Sequence, residues 1–217
     1  MIESKAWKWE MLSKDDKYWN TPDSHIYYLK ERWTENGFKS FLDIGCGLGR
    51  HSIYMAKNEF EVFAFDLSKY SVNAVKEKAE EQNLKIDLKV CDMLALPYAD
   101  NSFDCMLALN VISHTDSIGM KQILKEIYRV LKPNGEIYFT LGSKDSYHYN
   151  QTNYPIVDSN TKIRIEDGPE NGIPHFYIDD EDCKTWFNDF KIVDISYIKT
   201  LTSYGNFSPH YHLLLKK

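Results

Sequence analysis

Residues 38–50, Phe-Lys-Ser-Phe-Leu-Asp-Ile-Gly-Cys-Gly-Leu-Gly-Arg, set an apolar run directly before three closely spaced glycines and a helix-forming stretch. A strand that ends in Gly45, Gly47 and Gly49 and turns into a helix near Leu48 is how an α/β protein builds a nucleotide-binding loop. Glycine lacks the Cβ that would block a tight turn or keep the backbone off a ligand, and the free N–H groups of the helix start point at the same spot. The spacing also excludes something. A dinucleotide fingerprint reads G-x-G-x-x-G, but here the third glycine comes one residue early and its place is taken by Arg50. A pyrophosphate lying against this helix is therefore disfavoured.

Four further segments follow in order. Phe60–Asp66 (Phe-Glu-Val-Phe-Ala-Phe-Asp) reads as a strand ending in an acid, and Val90-Cys91-Asp92-Met93 as the end of another. Phe103–Asn110 reads as a fourth strand, and Glu126-Ile-Tyr-Arg-Val-Leu-Lys-Pro-Asn-Gly135 as a helix-to-strand turn. With Asp43 and the glycine loop, the set resembles the motifs of class I S-adenosylmethionine-dependent methyltransferases, of the small-molecule, methyltransferase type 11-like kind, over roughly residues 38–142. Five ordered motifs are far more specific than one glycine loop.

The resemblance implies an α/β fold: a doubly wound, seven-stranded, mostly parallel sheet with an antiparallel seventh strand, helices on both faces and a lid insertion. It implies S-adenosyl-L-methionine as cofactor and S-adenosyl-L-homocysteine as product. Asp66 would then grip the ribose hydroxyls and Asp92 accept from the adenine amino group. Asp43, Gly45, Cys46, Gly47, Gly49, Arg50, Leu67, Met93 and Asn110 would complete the cofactor site. His114, in Asn110-Val-Ile-Ser-His-Thr, stands where the family often carries a histidine beside the methyl donor, and is the candidate catalytic base. The residues alone also allow plainer roles. Asp66 can cap the helix beginning near Lys69, Asp92 can be turn chemistry, Cys46 a small residue in a tight loop, and His114 a loop or capping histidine.

Bulk properties suit one soluble domain, 1–217: 43% hydrophobic residues and a net charge of −6. No lysine or arginine cluster forms the basic face that nucleic-acid binding needs. The first ten residues carry charges where a signal peptide has an apolar run, and no stretch has transmembrane length, so no membrane association and a cytoplasmic location are expected. Cys46, Cys91, Cys105 and Cys183 lack C-x-x-C spacing and read as reduced thiols, and no metal-ligand pattern is announced.

Periodicity predicts strands near 39–44, 61–65, 86–91, 104–109 and 136–141, with helices near 48–58, 69–82 and 118–131. Residues 1–37 and 143–178 lie outside the motifs and are read as an N-terminal helical cap and a substrate-lid insertion after strand five. Gly168, Pro169, Gly172 and Pro174 favour a long excursion over further sheet. Asp179 or Asp180 can cap a helix through about Phe190. Two strands, 191–200 and 210–216, then follow, joined by a turn at Ser203-Tyr-Gly-Asn.

Aromatic residues crowd both flanking segments, as an amphipathic cover over a small acceptor would require. Trp19, His148, His175 and His210 are the candidate acceptor contacts. His210 and His212 share one face of a strand, and metal binding there would need ligands the sequence does not show. Methyl transfer from a sulfonium is an in-line displacement that needs alignment, dryness and, for some acceptors, a base. The chain therefore reads as a methyltransferase acting on a small molecule, its oligomeric state left open. Two alternatives stand beside it: a nicotinamide-dependent oxidoreductase, and a non-enzymatic S-adenosylmethionine-binding protein.

Overall fold

The computed structural model describes residues 3–13, 16–202 and 205–217; Met1 and Ile2 of the N-terminal run, and Ser203 and Tyr204 of the expected turn, lie outside the described residues. Its centre is a parallel sheet. β1 (Ser40–Ile44) pairs with β2 (Glu61–Asp66) on one side and β4 (Phe103–Ala108) on the other; β3 (Ile86–Val90) flanks β2, and β5 (Leu131–Ser143) flanks β4. Near the C-terminus, β9 (Phe207–Lys216) lies antiparallel between β5 and β8 (Lys191–Leu201). These seven strands, in the order β3-β2-β1-β4-β5-β9-β8, are the mostly parallel sheet with an antiparallel last strand that the sequence predicts.

Alternation along the strands sends side chains to two packed faces. Every residue of β1 is buried. Leu42 and Ile44 pack with Ile123 and Ile127 of α5 (Ser117–Val130), whereas Phe41 packs with Ile26, Leu29 and Trp33 of α2 (Ser24–Glu35) and with Met55 of α3 (Arg50–Lys57). A sheet covered on both sides explains why its strands read as continuous apolar runs. The N-terminal helix α2, which follows the single turn α1 (Lys17–Asn20), is also pinned by charge. Arg32 donates two hydrogen bonds to the buried Glu136 carboxylate, at 2.8 and 2.7 Å, and Trp33 Nε1 donates to it at 3.1 Å.

Two expectations change. The 143–178 excursion contains sheet after all: β6 (Thr161–Ile163) and β7 (Pro174–Ile178) form an antiparallel ribbon, and β7 adds in parallel to the end of β5 through Gly142↔Tyr177 and Ser143↔Ile178. Phe176 and Ile178 carry the apolar side chains that bury this ribbon, which the surrounding glycines and prolines mask in the sequence. The helix capped by Asp179, α6 (Asp180–Thr185), has a capping box with Asp182 but stops five residues short of Phe190. Asn188 donates to the Thr185 carbonyl at 2.9 Å, while Phe187 and Phe190 turn into the core.

Candidate functional site

The carboxyl ends of β1, β2 and β4 open onto one cavity of about 460 Å³, at the edge where the strand order reverses. Its floor is the glycine loop. Gly47 (φ +52°) and Gly49 (φ +81°) hold left-handed backbone, and Gly49 is the N-cap of α3. Gly47 lines the cavity, but Gly49, expected among the cofactor contacts, does not; its missing Cβ makes room for Val75 instead. A Cβ on Gly47 would stand 2.5 Å from Trp9 Cζ2, and one on Gly49 2.7 Å from Val75 Cγ2.

Asp66 ends β2 beneath this loop. Its Oδ2 accepts from Gly47 N–H at 3.0 Å and its Oδ1 from Ser68 N–H at 2.8 Å. Burial raises its carboxyl above the usual range, against those backbone donors. The cap of α4 (Lys69–Glu81) is Ser68, whose side chain accepts from Ser71 N–H, so Asp66 is not spent on capping. Asp43, at the end of β1, accepts from Ser52 Oγ at 2.5 Å; burial pushes its carboxyl up to about 7. Asp92 accepts from Leu94 N–H at 2.9 Å, the turn geometry that the residue type allows, while still lining the cavity beside Met93. Asn110 is left-handed (φ +56°), held by the Thr140 hydroxyl, which accepts from its N–H at 2.9 Å and donates to its Oδ1 at 2.8 Å. Gly45, Cys46 and Leu67 line the cavity as well.

Arg50 also reaches the cavity, yet its guanidinium turns to the N-terminal segment. It donates to the Tyr18 and Thr21 carbonyls at 3.1 and 3.4 Å and lies 5.4 Å from the Tyr18 and Trp19 ring centres. The same segment roofs the glycine loop. Trp7, Trp9 and Trp19 stand edge to face, with centroids 4.3 to 5.1 Å apart, and the buried Trp7 Nε1 has no hydrogen-bond partner among the described residues. A donor left unpaired in a polar cavity fits a ligand acceptor there. Two bonds tie this roof to the excursion: Lys5 Nζ donates to the Gly172 carbonyl at 3.0 Å, and Lys8 N–H to the Pro169 carbonyl at 3.5 Å.

Beyond Asn110 the cavity becomes polar in a different way. His114, His148, His175 and His210 line it together with Arg164 and Glu170. The rings of His114 and His175 meet edge to face at 4.7 Å, and His114 Nε2 lies 4.0 Å from Glu170 Oε1. Burial, with His175 alongside, brings the His114 imidazole down to about 3, so it is neutral. Burial works to raise the Glu170 carboxyl, but His175 and Arg164 outweigh it and hold the group below the ordinary carboxylate range. Burial also lowers His148 and His210. His148 meets Tyr154 Oη at 3.2 Å. His210 Nδ1 donates to the Ser208 carbonyl at 3.3 Å, a bond that fixes its tautomer because a carbonyl only accepts. His212 shares the strand face with His210 but bonds Tyr138 Oη at 2.6 Å, away from the cavity lining.

Arg164 and Glu170 were not legible as site residues. They sit among charged and polar loop positions with no periodicity, and nothing local marks them as facing inward.

A crevice at the carboxyl ends of a parallel sheet, with a glycine loop, a buried acid after the second strand and a polar chamber beyond the fourth, is the place where open α/β sheets bind nucleotide-type ligands. A family model described as a methyltransferase domain matches residues 41–135. Methyltransferase GfsG of Streptomyces halstedii is 28% identical over 133 residues, covering 55% of this chain and 47% of that protein. The chain spans less than half the length of the curated relatives it matches first. Among solved structures, a SAM-dependent methyltransferase from Methanosarcina mazei superposes with a TM-score of 0.70 at 21% identity, covering 82% of this chain and 92% of that one. The 1,6-didemethyltoxoflavin-N1-methyltransferase of Burkholderia thailandensis, solved with 1,6-didemethyltoxoflavin and S-adenosylhomocysteine, gives 0.66 at 15% identity, covering 93% and 81%. Residues 41–135 are thus similar to a methyltransferase domain, and the chain has the fold of solved S-adenosylmethionine-dependent methyltransferases. No described helix is long and apolar enough to cross a membrane.

Proposed function

We propose that this protein transfers the methyl group of S-adenosyl-L-methionine to a small molecule held in the histidine-lined chamber, in the cytoplasm. One observation carries the reading: the glycine loop and the chamber are parts of a single cavity, covered by the Trp7–Trp9–Trp19 roof on one side and the 143–178 segment on the other. Such a covered space suits a small acceptor better than a protein or RNA surface.

The cofactor supplies an activated methyl on a sulfonium, so this chain's residues bind, align and exclude water. Asp66 keeps lone pairs for the ribose hydroxyls, Asp92 faces the adenine end, and Gly45, Gly47 and Asn110 shape the floor. Asp43 orders the start of α3 through Ser52, and Trp7 Nε1 offers a donor from above. At the acceptor end His148, His175 and His210 form the walls with His114, whereas Trp19, expected among the acceptor contacts, sits in the roof over the glycine loop. The nicotinamide reading loses its footing because Arg50, at the fingerprint's last position, is engaged with Tyr18 and Thr21.

The test pairs calorimetry with methyl-labelled cofactor. S-adenosylmethionine and S-adenosylhomocysteine should each bind one to one. In incubations with fractionated cell extract, label should enter the small-molecule fraction. Label entering only protein or RNA would overturn the acceptor class, and cofactor binding without any transfer would favour the non-enzymatic alternative.

A further inference from the structure

We infer that His114, Glu170 and His175 form a zinc-type divalent-metal site at the acceptor end of the cavity. The inference rests on the proposed function, since it gives that chamber the group that activates the acceptor. Among the described residues these three alone bring histidine, cysteine or carboxylate ligand atoms together, all within 4.8 Å of one another.

The geometry follows from what each nitrogen can do. His175 Nδ1 lies 3.1 Å from the Ile173 carbonyl, and a carbonyl only accepts, so this nitrogen carries the hydrogen. Nε2 is then the nitrogen left for a metal, and it faces Glu170 Oε1 at 3.4 Å, a contact that either a proton or a cation can bridge. His114 Nε2 approaches the same oxygen at 4.0 Å, too long for a hydrogen bond. Two imidazoles thus converge on one carboxylate oxygen across a gap that no hydrogen bond between His114 and Glu170 fills. A cation fills it. Ligands about 2.0–2.1 Å from a tetrahedral zinc stand roughly 3.3 Å apart, so the His175–Glu170 separation already fits and His114 would close in on both.

The surroundings match the demands of such a site. The Ile173 carbonyl orients His175 as backbone acceptors orient metal-bound imidazoles, and Arg164 Nη1 holds the other Glu170 oxygen at 3.1 Å, leaving Oε1 directed at the histidines. Arg164 is itself paired with Glu166 at 3.2 Å, so the charged groups here, Arg164, Glu166 and Glu170, sum to −1 before a dication arrives. Two histidines and one glutamate leave a fourth position open, as zinc sites that do chemistry require. That position faces the cavity shared with the glycine loop.

A hydroxyl or thiol acceptor entering it would lose its proton to solvent more readily, because the cation stabilises the anion left behind. The lone pair of that oxygen or sulfur then forms the bond to the methyl carbon. The carbon–sulfonium bond breaks with its electron pair staying on sulfur, giving a thioether. No oxidant or reductant is consumed.

The experiment uses the full chain, free of any polyhistidine tag and stripped with a chelator, titrated with Zn²⁺ by calorimetry and with Co²⁺ by visible absorption. One equivalent of each should bind, with the intense ligand-field absorption of four-coordinate cobalt. Glu170→Gln and His175→Gln should each weaken Zn²⁺ binding at least tenfold, the loss that removing even an outer-shell partner causes. His212→Gln, outside the group, should not. Sub-stoichiometric uptake by the wild type, or affinity unchanged in both ligand variants, would overturn the site. S-adenosylmethionine binding, measured on the same samples, separates the two readings: its loss with cobalt binding intact would sink the methyltransferase function, and its retention without metal uptake would sink only the metal.

Discussion

The backbone N–H of Gly47 donates to Asp66 Oδ2 at 3.0 Å, so the tip of the glycine loop and the acid after the second strand are one hydrogen-bonded unit before any ligand arrives. The loop is therefore pre-shaped, and in the proposed function Asp66 would do two jobs with one carboxylate: anchor the loop and keep lone pairs for a ribose.

Replacing that carboxylate should show both jobs. Asp66→Ala removes charge-assisted hydrogen bonds worth about 1.5–3 kcal/mol each, so S-adenosylmethionine affinity should fall at least tenfold by calorimetry. It also strands the Gly47 and Ser68 N–H groups, lowering stability by about 1–3 kcal/mol apiece. Unchanged affinity would remove Asp66 from the cofactor site.

Gly47→Ala tests the roof. The new methyl would meet Trp9, and the left-handed backbone adds roughly 1–2 kcal/mol for a non-glycine residue. In the double variant with Trp9→Ala the two losses should be less than additive, because the clash is gone and only backbone strain and the lost indole packing remain. Thermal melts of the four-member cycle measure the coupling, and strict additivity would mean that Trp9 does not sit on the loop.

Asp43 sets a pH dependence. Its folded carboxyl titrates near 7 because of burial, well above the ordinary value of 3.8, so the folded state holds a proton that the unfolded chain has already lost. Stability from this group is full below pH 4 and declines as pH rises to about 7, with a slope of at most about 1.4 kcal/mol per pH unit. Asp43→Asn, which keeps a partner for Ser52, lacks this loss. Its stability relative to wild type, read from urea midpoints of the ligand-free protein, should climb between pH 4 and 7. A flat difference would place Asp43 in a solvated environment.

Glu136→Ala should loosen the N-terminal helix from the sheet. It leaves Arg32 and Trp33 Nε1 without their shared acceptor, and because Arg32 is 28% exposed the cost is about 1.5–3 kcal/mol rather than that of a fully buried pair. Hydrogen exchange across 24–35 should quicken, while strands β2 and β3 keep their protection.

What was readable in the chain was local. The 38–50 stretch, the acids at strand ends and the apolar runs of the central strands each depend on neighbours two to four residues away, and they mark the sheet and the glycine loop that floors the cavity. The features that complete the site depend on distant partners. Trp9 reaches Gly47 across 38 positions of sequence, and Glu170 meets His114 across 56. Nothing near Arg164 or Glu170 distinguishes them from the solvated charges around them, and the β6–β7 ribbon is visible only once Phe176 is seen in the core. Residues 180–190 show the reverse case, in which a good cap predicts a helix that tertiary packing of Phe187 and Phe190 cuts short.

The bonds from Lys5 to Gly172 and from Lys8 to Pro169 join the tryptophan roof over the glycine loop to the segment that carries Glu170. Under the proposed function, an opening of that roof wide enough to pass a ligand beside Trp9 would break these ties and free the far segment too, so that the two halves of the cavity would share one door.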